Sequence, residues 1–265
     1  MVGAERMTGR VGSDLGIRAA VGAALIVLAL AALWIGGWGL WTLVTAIALL
    51  AAAEWGGLVR ADGLRIGTAL AVLAAALVCA APAYWGTDRS SVALLLILAL
   101  VLAMVPRCGA IACGIAYVGT AGIALLFLRA QPNGLVLTLW TLAIVWATDI
   151  GGYFAGRTFG GPRLAPRISP SKTWSGLAGG VVAAAIVGGV IGWQGGLPRP
   201  SLWLGALLAV LAQAGDLFES GMKRRAGVKD SGRILPGHGG VLDRVDGALP
   251  VAILVAALVA NGNFQ

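Results

Sequence analysis

Nine long apolar runs constrain this chain more than any other feature of its sequence. A helix needs about 20 mostly apolar residues to cross the hydrocarbon core of a bilayer. The chain is 59% hydrophobic and only 11% charged, whereas a soluble domain is about 45–50% apolar and about 25% charged. We therefore predict an all-α polytopic membrane protein with about nine transmembrane helices. The predicted spans are residues 19–36, 39–58, 64–84, 90–106, 109–129, 134–156, 175–193, 202–222 and 241–261.

The composition excludes several other classes of protein. A mean hydropathy of +0.91 rules out disorder, and the apolar runs are continuous rather than alternating, which argues against an outer-membrane barrel. Three cysteines without a C-x-x-C pair and a single histidine support neither a disulfide framework nor a zinc site. A cleaved signal peptide is the alternative interpretation of the first run. The long polar segment before it and the eight later apolar runs favour a transmembrane helix instead.

The basic residues predict the orientation of the chain in the membrane. With nine spans the loops alternate between the two sides, and 16 of the 19 basic residues fall on the side of the N-terminus. Cytoplasmic loops are enriched in Lys and Arg. We therefore predict a cytoplasmic N-terminus and a C-terminus outside, and we expect no nucleic-acid partner. The three basic residues on the other side are Arg89, Arg129 and Arg199.

The polar residues divide the chain into unequal parts. Residues 1–18 form a cytoplasmic tail, residues 19–130 an N-terminal packing half and residues 131–265 a C-terminal half. Two long cytoplasmic loops, 157–174 and 223–240, contain nine basic residues between them, whereas the loops of the first half are short and contain few charged residues. We expect the chemistry to belong to the C-terminal half.

Five carboxylates lie within predicted spans of the C-terminal half. A carboxylate at that depth costs several kcal/mol unless it is paired, wetted or bound to a metal. For a single acid, anchoring of a helix end or an ion pair with Lys223 or Arg244 is a sufficient alternative, but five acids on one membrane face favour a functional site. They are Asp149, Asp216, Glu219, Asp243 and Asp246.

The spacing of four of these acids predicts a metal site. Asp216 and Glu219 are three residues apart, as are Asp243 and Asp246, so each pair shares one face of a helix. Four like charges that face each other repel unless a cation lies between them. A hard divalent ion, above all Mg²⁺, prefers carboxylates combined with substrate phosphates.

Two cytoplasmic segments have the character of phosphate-binding sites. The loop 223–240 combines glycines, which allow close backbone approach to an anion, with five cations. The segment 168–176 places hydroxyls and Lys172 just before a span, where a helix N-terminus suits a phosphate. The alternatives are a basic loop that touches anionic lipid headgroups and plain capping of the helix by Ser169 to Thr173. Neither a Walker A motif nor a Rossmann fingerprint is present.

The stretch from Ser220 to Asp246, SGMKRRAGVKDSGRILPGHGGVLDRVD, resembles a known signature without a gap. It is similar to that of the phosphatidate cytidylyltransferases, or CDP-diacylglycerol synthases: S-x-hydrophobic-K-R, four residues, K-D-x-small, two residues, hydrophobic-P-x-H-G-G, then x-x-D-R-x-D. About fifteen specified positions make the pattern specific. The resemblance extends upstream through GDLFE at 215–219, DIGGYFAGR at 149–157 and S-P-x-K-T at 169–173. Members often carry Lys and Glu where this chain has Ser171 and Ser175.

The resemblance implies transfer of CMP from CTP to phosphatidate, which gives CDP-diacylglycerol and pyrophosphate. It implies Mg²⁺ held by Asp216, Asp243 and Asp246, with a second, monovalent cation such as K⁺ left open, in a bacterial inner membrane with the site on the cytoplasmic side. Separately from the resemblance, the small residues of the helices favour a homodimer. The catalytic candidates are Asp243, Asp246, His238 and Lys229. The phosphate-binding candidates are Ser169, Lys172, Thr173, Lys223, Arg224, Arg233, Gly239, Gly240 and Arg244. The supporting candidates are Asp149, Glu219, Ser220 and Asp230.

Several alternatives stay open. His238 either donates to a phosphate or orients Asp243 instead. Another CTP-dependent lipid transferase, such as a polyprenol kinase or an isoprenoid-lipid cytidylyltransferase, is the nearest rival, and a secondary transporter is a more distant one. A CDP-alcohol phosphatidyltransferase requires a D-G-x-x-A-R pattern, which does not follow Asp246.

Overall fold

The computed structural model describes residues 22–84, 86–198, 201–234 and 239–262. The predicted N-terminal tail and His238 lie outside this range. The helices are α1 (Gly22–Ile35), α2 (Gly37–Leu58), α3 (Gly63–Cys79), α4 (Arg89–Ala103), α5 (Gly109–Ala130), α6 (Gly134–Phe159), α7 (Trp174–Gln194), α8 (Ser201–Ala226), α9 (Leu242–Val245) and α10 (Ala248–Ala260). The strands are β1 (Arg163–Ala165) and β2 (Ser169–Thr173).

The architecture is all-α, as predicted, and each predicted apolar run contains a helix among the described residues. Four of these helices, α2, α5, α6 and α7, are long and apolar enough to cross a membrane. The apolar helices α1, α3, α4 and α10 are shorter, and α8 carries acidic and basic residues along its last three turns. The number of nine spans and the orientation of the termini stay predictions.

Two segments of the C-terminal half differ from the sequence prediction. The ninth predicted run is divided at Gly247, so that the short helix α9 precedes α10. The predicted loop 157–174 is partly ordered as a hairpin, in which Arg163 pairs with Thr173 and Ala165 with Ser169. Gly160 and Gly161 have positive φ angles, a conformation that ends α6 and turns the chain back at low steric cost.

Helices α6 and α7 pack through small residues, which include Gly176, Gly180, Gly188 and Gly192 of α7. All four glycines are buried on one face of α7. A Cβ added at Gly180 would lie 2.8 Å from the carbonyl oxygen of Thr148 in α6. This backbone contact leaves no room for a side chain and determines how closely the two helices approach.

Gly179→Ala is expected to destabilise the α6–α7 contact, because the new Cβ would lie 2.1 Å from the Cβ of Ala155. Overpacking of this kind costs about 1–3 kcal/mol. Gly67→Ala in α3 is the matched control, since nothing lies within 4 Å of its added Cβ and alanine is the better helix former by about 1 kcal/mol. Thermal unfolding in detergent measures both. Equal melting temperatures for the two variants would contradict the packing argument.

The N-terminal half packs directly against the C-terminal half. One hydrophobic cluster combines residues of α2, α3, α4 and α5 with Val241 and Leu242, which border α9. Trp55 of α2, Tyr117 of α5 and Phe218 of α8 form an aromatic group with ring centroids 6.0–6.2 Å apart. The first half therefore supports the helix that carries the predicted carboxylates.

Candidate active site

Polar side chains from three helices and the hairpin meet around one cavity. It has a volume of about 500 Å³, within the range of pockets that hold small ligands. The cavity lies between the C-terminal part of α6, the start of α7 and the C-terminal part of α8, next to β2. Its polar lining includes Asp149, Tyr153, Arg157, Lys172, Thr173 and Asp216.

Lys172 and Asp216 form an ion pair at this cavity. The Lys172 ammonium donates to Oδ2 of Asp216, and both side chains are largely buried. The hydroxyl of Ser220 donates to Oδ1 of the same carboxylate at 3.2 Å. Thr173 is the N-cap of α7, since its Oγ1 accepts a hydrogen bond from the Gly176 N–H. The capping alternative is therefore observed for Thr173, which also lines the cavity.

Asp149 and Asp246 lie close enough to Asp216 for the three negative charges to act on one another. Asp149 faces the cavity from α6, and Oδ1 of Asp246 accepts a hydrogen bond from the Gly247 N–H at 2.7 Å. The positive charge of Lys172 acts on both. The Arg244 guanidinium also acts on Asp149, so three carboxylates face two cations, and the remaining negative charge suits a further cation.

Asp243 is the most extensively bonded of the predicted acids. Its Oδ2 accepts hydrogen bonds from the Ser231 N–H at 2.9 Å and the Gly240 N–H at 2.8 Å, and the Ser231 hydroxyl lies 3.0 Å away. Its Oδ1 lies 2.5 Å from Nζ of Lys223, which is also 2.5 Å from Oε2 of Glu219. Lys223 thus joins α8 to α9 through Asp243 and pairs with Glu219 one turn earlier on its own helix.

The remaining predicted site residues lie toward the surface. Arg224 donates to the carbonyl oxygens of Ile168 and Val228 and so connects α8 to the hairpin and its own loop. Ser169 begins β2. Lys229, Asp230 and Arg233 are exposed, and the structure shows no contact that brings them to the cavity among the residues it describes. Gly239 has a positive φ of 77°, and a Cβ there would lie 3.0 Å from Oδ2 of Asp243.

Glu54 is a site residue that the sequence interpretation missed. It lies in α2, is only 6% exposed and accepts hydrogen bonds from Ser231, Val241 and Leu242. The signal was present, because Glu54 is an acid inside the apolar run 39–58. A carboxylate within a membrane span is costly wherever it lies, so the argument used for the acids of the C-terminal half applies equally to Glu54.

The donor set fits a hard cation. The carboxylate oxygens of Asp149, Asp216 and Asp246 are the ligand type that Mg²⁺ prefers, and the buried Oε1 of Glu219 accepts no hydrogen bond from any described residue. Among the residues that the structure describes, no three acidic, histidine or cysteine side chains form a ready-made cage. Mg²⁺ is commonly bound by one or two carboxylates plus substrate phosphates, so the predicted site of Asp216, Asp243 and Asp246 stays a prediction.

An apolar groove of about 180 Å³ has Arg244 among its lining residues. Its walls come from α1, α2, α5, α6 and the start of α10, and include Leu33, Val44, Gly122 and Trp146. Arg244 lies between Asp243 and Asp246 in sequence, and its charge acts on Asp149, so this cation is close to the acidic site. A groove with apolar walls and one guanidinium can hold an apolar group that carries an anionic group beside it.

The fold and the site define a class of protein: an all-α membrane protein with a charged site at one end of its helical bundle. The comparisons with known proteins then specify the family. Residues 16–261 match the family described as the cytidylyltransferase family, and the chain therefore belongs to that family.

Curated relatives carry the name phosphatidate cytidylyltransferase. The protein of Brucella suis biovar 1 (strain 1330) is 51% identical over 150 residues, which are 54% of each chain. The protein of Bacillus subtilis (strain 168) is 44% identical over 130 residues, which are 48% of each chain. The chain thus spans about half the length of the curated relatives it matches.

Proposed function

We propose that the protein is a phosphatidate cytidylyltransferase that converts CTP and phosphatidate into CDP-diacylglycerol and pyrophosphate. The observation that carries the proposal is the cavity between α6, α7 and α8, where Lys172 pairs with Asp216 beside Asp149. Membership of the cytidylyltransferase family and relatives of that name support the same reaction.

In the proposed reaction, a phosphate oxygen of phosphatidate attacks the α-phosphorus of CTP. A new P–O bond forms, the bond from the α-phosphorus to the bridging oxygen breaks, and pyrophosphate leaves with that electron pair. The second pKa of a phosphate monoester is about 6, so the nucleophile is already mostly a dianion at neutral pH. Catalysis therefore consists of positioning two polyanions and stabilising the leaving group.

The chain's own residues have the charges for these tasks. Lys172 and Arg157 line the cavity and neutralise the triphosphate of CTP. Lys223 holds Asp243 and Glu219 in place from α8. Asp216, Asp243 and Asp246 are the proposed ligands of Mg²⁺. Bound Mg²⁺, alone or with a monovalent cation such as K⁺, supplies further neutralisation of phosphate charge.

The apolar groove that Arg244 helps to line is the proposed site for an acyl chain of phosphatidate. The cytoplasmic-side assignment rests on the basic residues and on the antiparallel order of the helices. The C-terminal parts of α2, α6 and α8 and the start of α7 hold the polar groups, and these ends coincide in an up-and-down bundle. We therefore propose an active site on the cytoplasmic side of a bacterial inner membrane. We also propose that the protein is a homodimer.

The purified protein, given CTP, Mg²⁺ and phosphatidate in mixed micelles, is expected to release pyrophosphate and form CDP-diacylglycerol in equal amounts. Lysophosphatidate, a polyprenol, a polyprenol phosphate and no lipid are the control acceptors. Pyrophosphate release without lipid would indicate hydrolysis. Release only with polyprenol phosphate, or release of CDP with a polyprenol, would favour one of the rival transferases and contradict the proposal.

A further inference from the structure

Glu54 bonds two separate parts of the loop between α8 and α9. Its Oε2 accepts hydrogen bonds from the Ser231 hydroxyl at 2.9 Å and the Leu242 N–H at 2.8 Å, and its Oε1 accepts one from the Val241 N–H at 3.0 Å. The donors are up to 188 residues away in sequence. A single carboxylate of the N-terminal half thus fastens both ends of the segment 231–242.

The backbone of this loop is shaped to fit the Glu54 carboxylate. A Cβ added at Gly232 would lie 2.2 Å from Oε1 of Glu54, and one added at Gly240 would lie 2.4 Å from Oε2. Any side chain at either position would collide with the carboxylate. Glu54 is also nearly fully buried, at 6% exposure, so the three donors replace the water that a buried carboxylate loses.

The groups that bond Glu54 are neighbours of those that bond Asp243. Ser231 donates to Asp243 through its N–H, and its hydroxyl lies within hydrogen-bond distance of both carboxylates. Gly240, whose N–H donates to Asp243, directly precedes Val241, whose N–H donates to Glu54. A change at Glu54 therefore moves the two donors that fix Oδ2 of Asp243.

We propose that Glu54 is a positioning residue for Asp243. From α2 it bonds Ser231 on one side of the loop and Val241 and Leu242 on the other, so that the Ser231 and Gly240 donors hold the Asp243 carboxylate in one orientation. The inference rests on the proposed function for its kinetic part only. The packing of the loop on Glu54 is independent of which substrate the protein uses.

Glu54→Gln is the sharpest test, because glutamine keeps the shape but replaces one acceptor oxygen with an NH₂ donor. That group would face an N–H or hydroxyl that needs an acceptor. We expect kcat per folded protein to fall about 100-fold, the effect of a displaced catalytic group, with the KM for phosphatidate unchanged. Glu54→Asp, which keeps the charge, is expected to recover part of the loss. Asp62→Asn, at the exposed start of α3, is the matched control.

Amide hydrogen exchange supplies a readout that needs neither metal nor substrate. In Glu54→Gln, the peptide that contains Val241 and Leu242 is expected to exchange at least about tenfold faster, while peptides from the centre of α5 keep their protection. Unchanged exchange at 241–242 together with unchanged kcat would overturn the proposal. So would a fall in protection throughout the protein without a fall in kcat per folded molecule.

Ser231→Ala is a second variant that tests the same proposal if Glu54→Gln does not fold. It removes the hydroxyl that lies between Glu54 and Asp243 but leaves the Val241 and Leu242 bonds in place. A loss of about tenfold in kcat supports the clamp, and wild-type kcat contradicts it. If the wild-type protein does not convert CTP and phosphatidate, the proposed function fails, and the exchange comparison still decides whether Glu54 holds the loop.

Discussion

Asp243→Asn is expected to lower CDP-diacylglycerol formation by about 100- to 1,000-fold, the usual cost of losing one preorganised electrostatic group at a reacting phosphate. Two effects combine. The neutral amide can no longer pair with the Lys223 ammonium, and its NH₂ group would oppose either that ammonium or the donors Ser231 and Gly240. If Asp243 is also a Mg²⁺ ligand, the substitution removes a charge that the ion requires.

Steady-state formation of CDP-diacylglycerol at saturating CTP and phosphatidate measures this effect. Asp88→Asn is the matched control, because Asp88 caps α4 at an exposed position and asparagine caps a helix as well as aspartate does. Melting temperatures of both variants show whether the protein is folded. Activity of Asp243→Asn within tenfold of wild type would remove Asp243 from the proposed machinery.

Lys172→Met is expected to lower kcat/KM for CTP by about 100-fold, with a smaller effect on the KM for phosphatidate. Lys172 is the cation paired with Asp216 at the cavity, and its charge also acts on Asp149 and Asp246. Without it, three carboxylates repel one another and an incoming triphosphate. Methionine keeps the aliphatic length of the side chain, so the change mainly removes the charge.

A CTP titration at fixed, saturating phosphatidate measures the loss. Lys172→Arg retains the positive charge and is expected to keep kcat/KM within about tenfold of wild type. Arg65→Met is the control for loss of a cation elsewhere, since Arg65 pairs with Asp62 at the surface of the N-terminal half. A Lys172→Met variant with an unchanged dependence on CTP would assign the nucleotide phosphates to another part of the protein.

Much of the candidate site was predictable because its residues stand out against an apolar sequence. Asp216, Asp243, Lys172 and Lys223 were all identified as charged groups in or beside predicted spans, and all four form ion pairs in the structure. The pairing itself did not follow from the sequence. Lys172 and Asp216 lie on a strand and a helix 44 residues apart, and only the packing of α7 between α6 and α8 brings them together.

The hairpin of residues 163–173 was not predicted, because its strands are short and mostly polar. The division at Gly247 was not predicted, because it lies inside a predicted apolar run. Short polar strands carry little periodic signal. Their positions depend on tertiary contacts, such as the Arg224 side chain that donates to Ile168 in the hairpin turn. Within the run 241–261, the pair Asp246-Gly247 followed by Pro250 is a turn signal, but it is short and the apolar residues on both sides favour one continuous span.

The sequence by itself determined the membrane environment, the helical fold class and the family. Long apolar runs have one physical solution in a bilayer, and the segment Ser220 to Asp246 specifies its family residue by residue. Only the tertiary structure decided that the N-terminal half contributes to the site. Glu54 and Ser231 are 177 residues apart, and no local pattern joins them. A buried carboxylate must find donors wherever the fold supplies them, and here it finds them in the loop that positions Asp243.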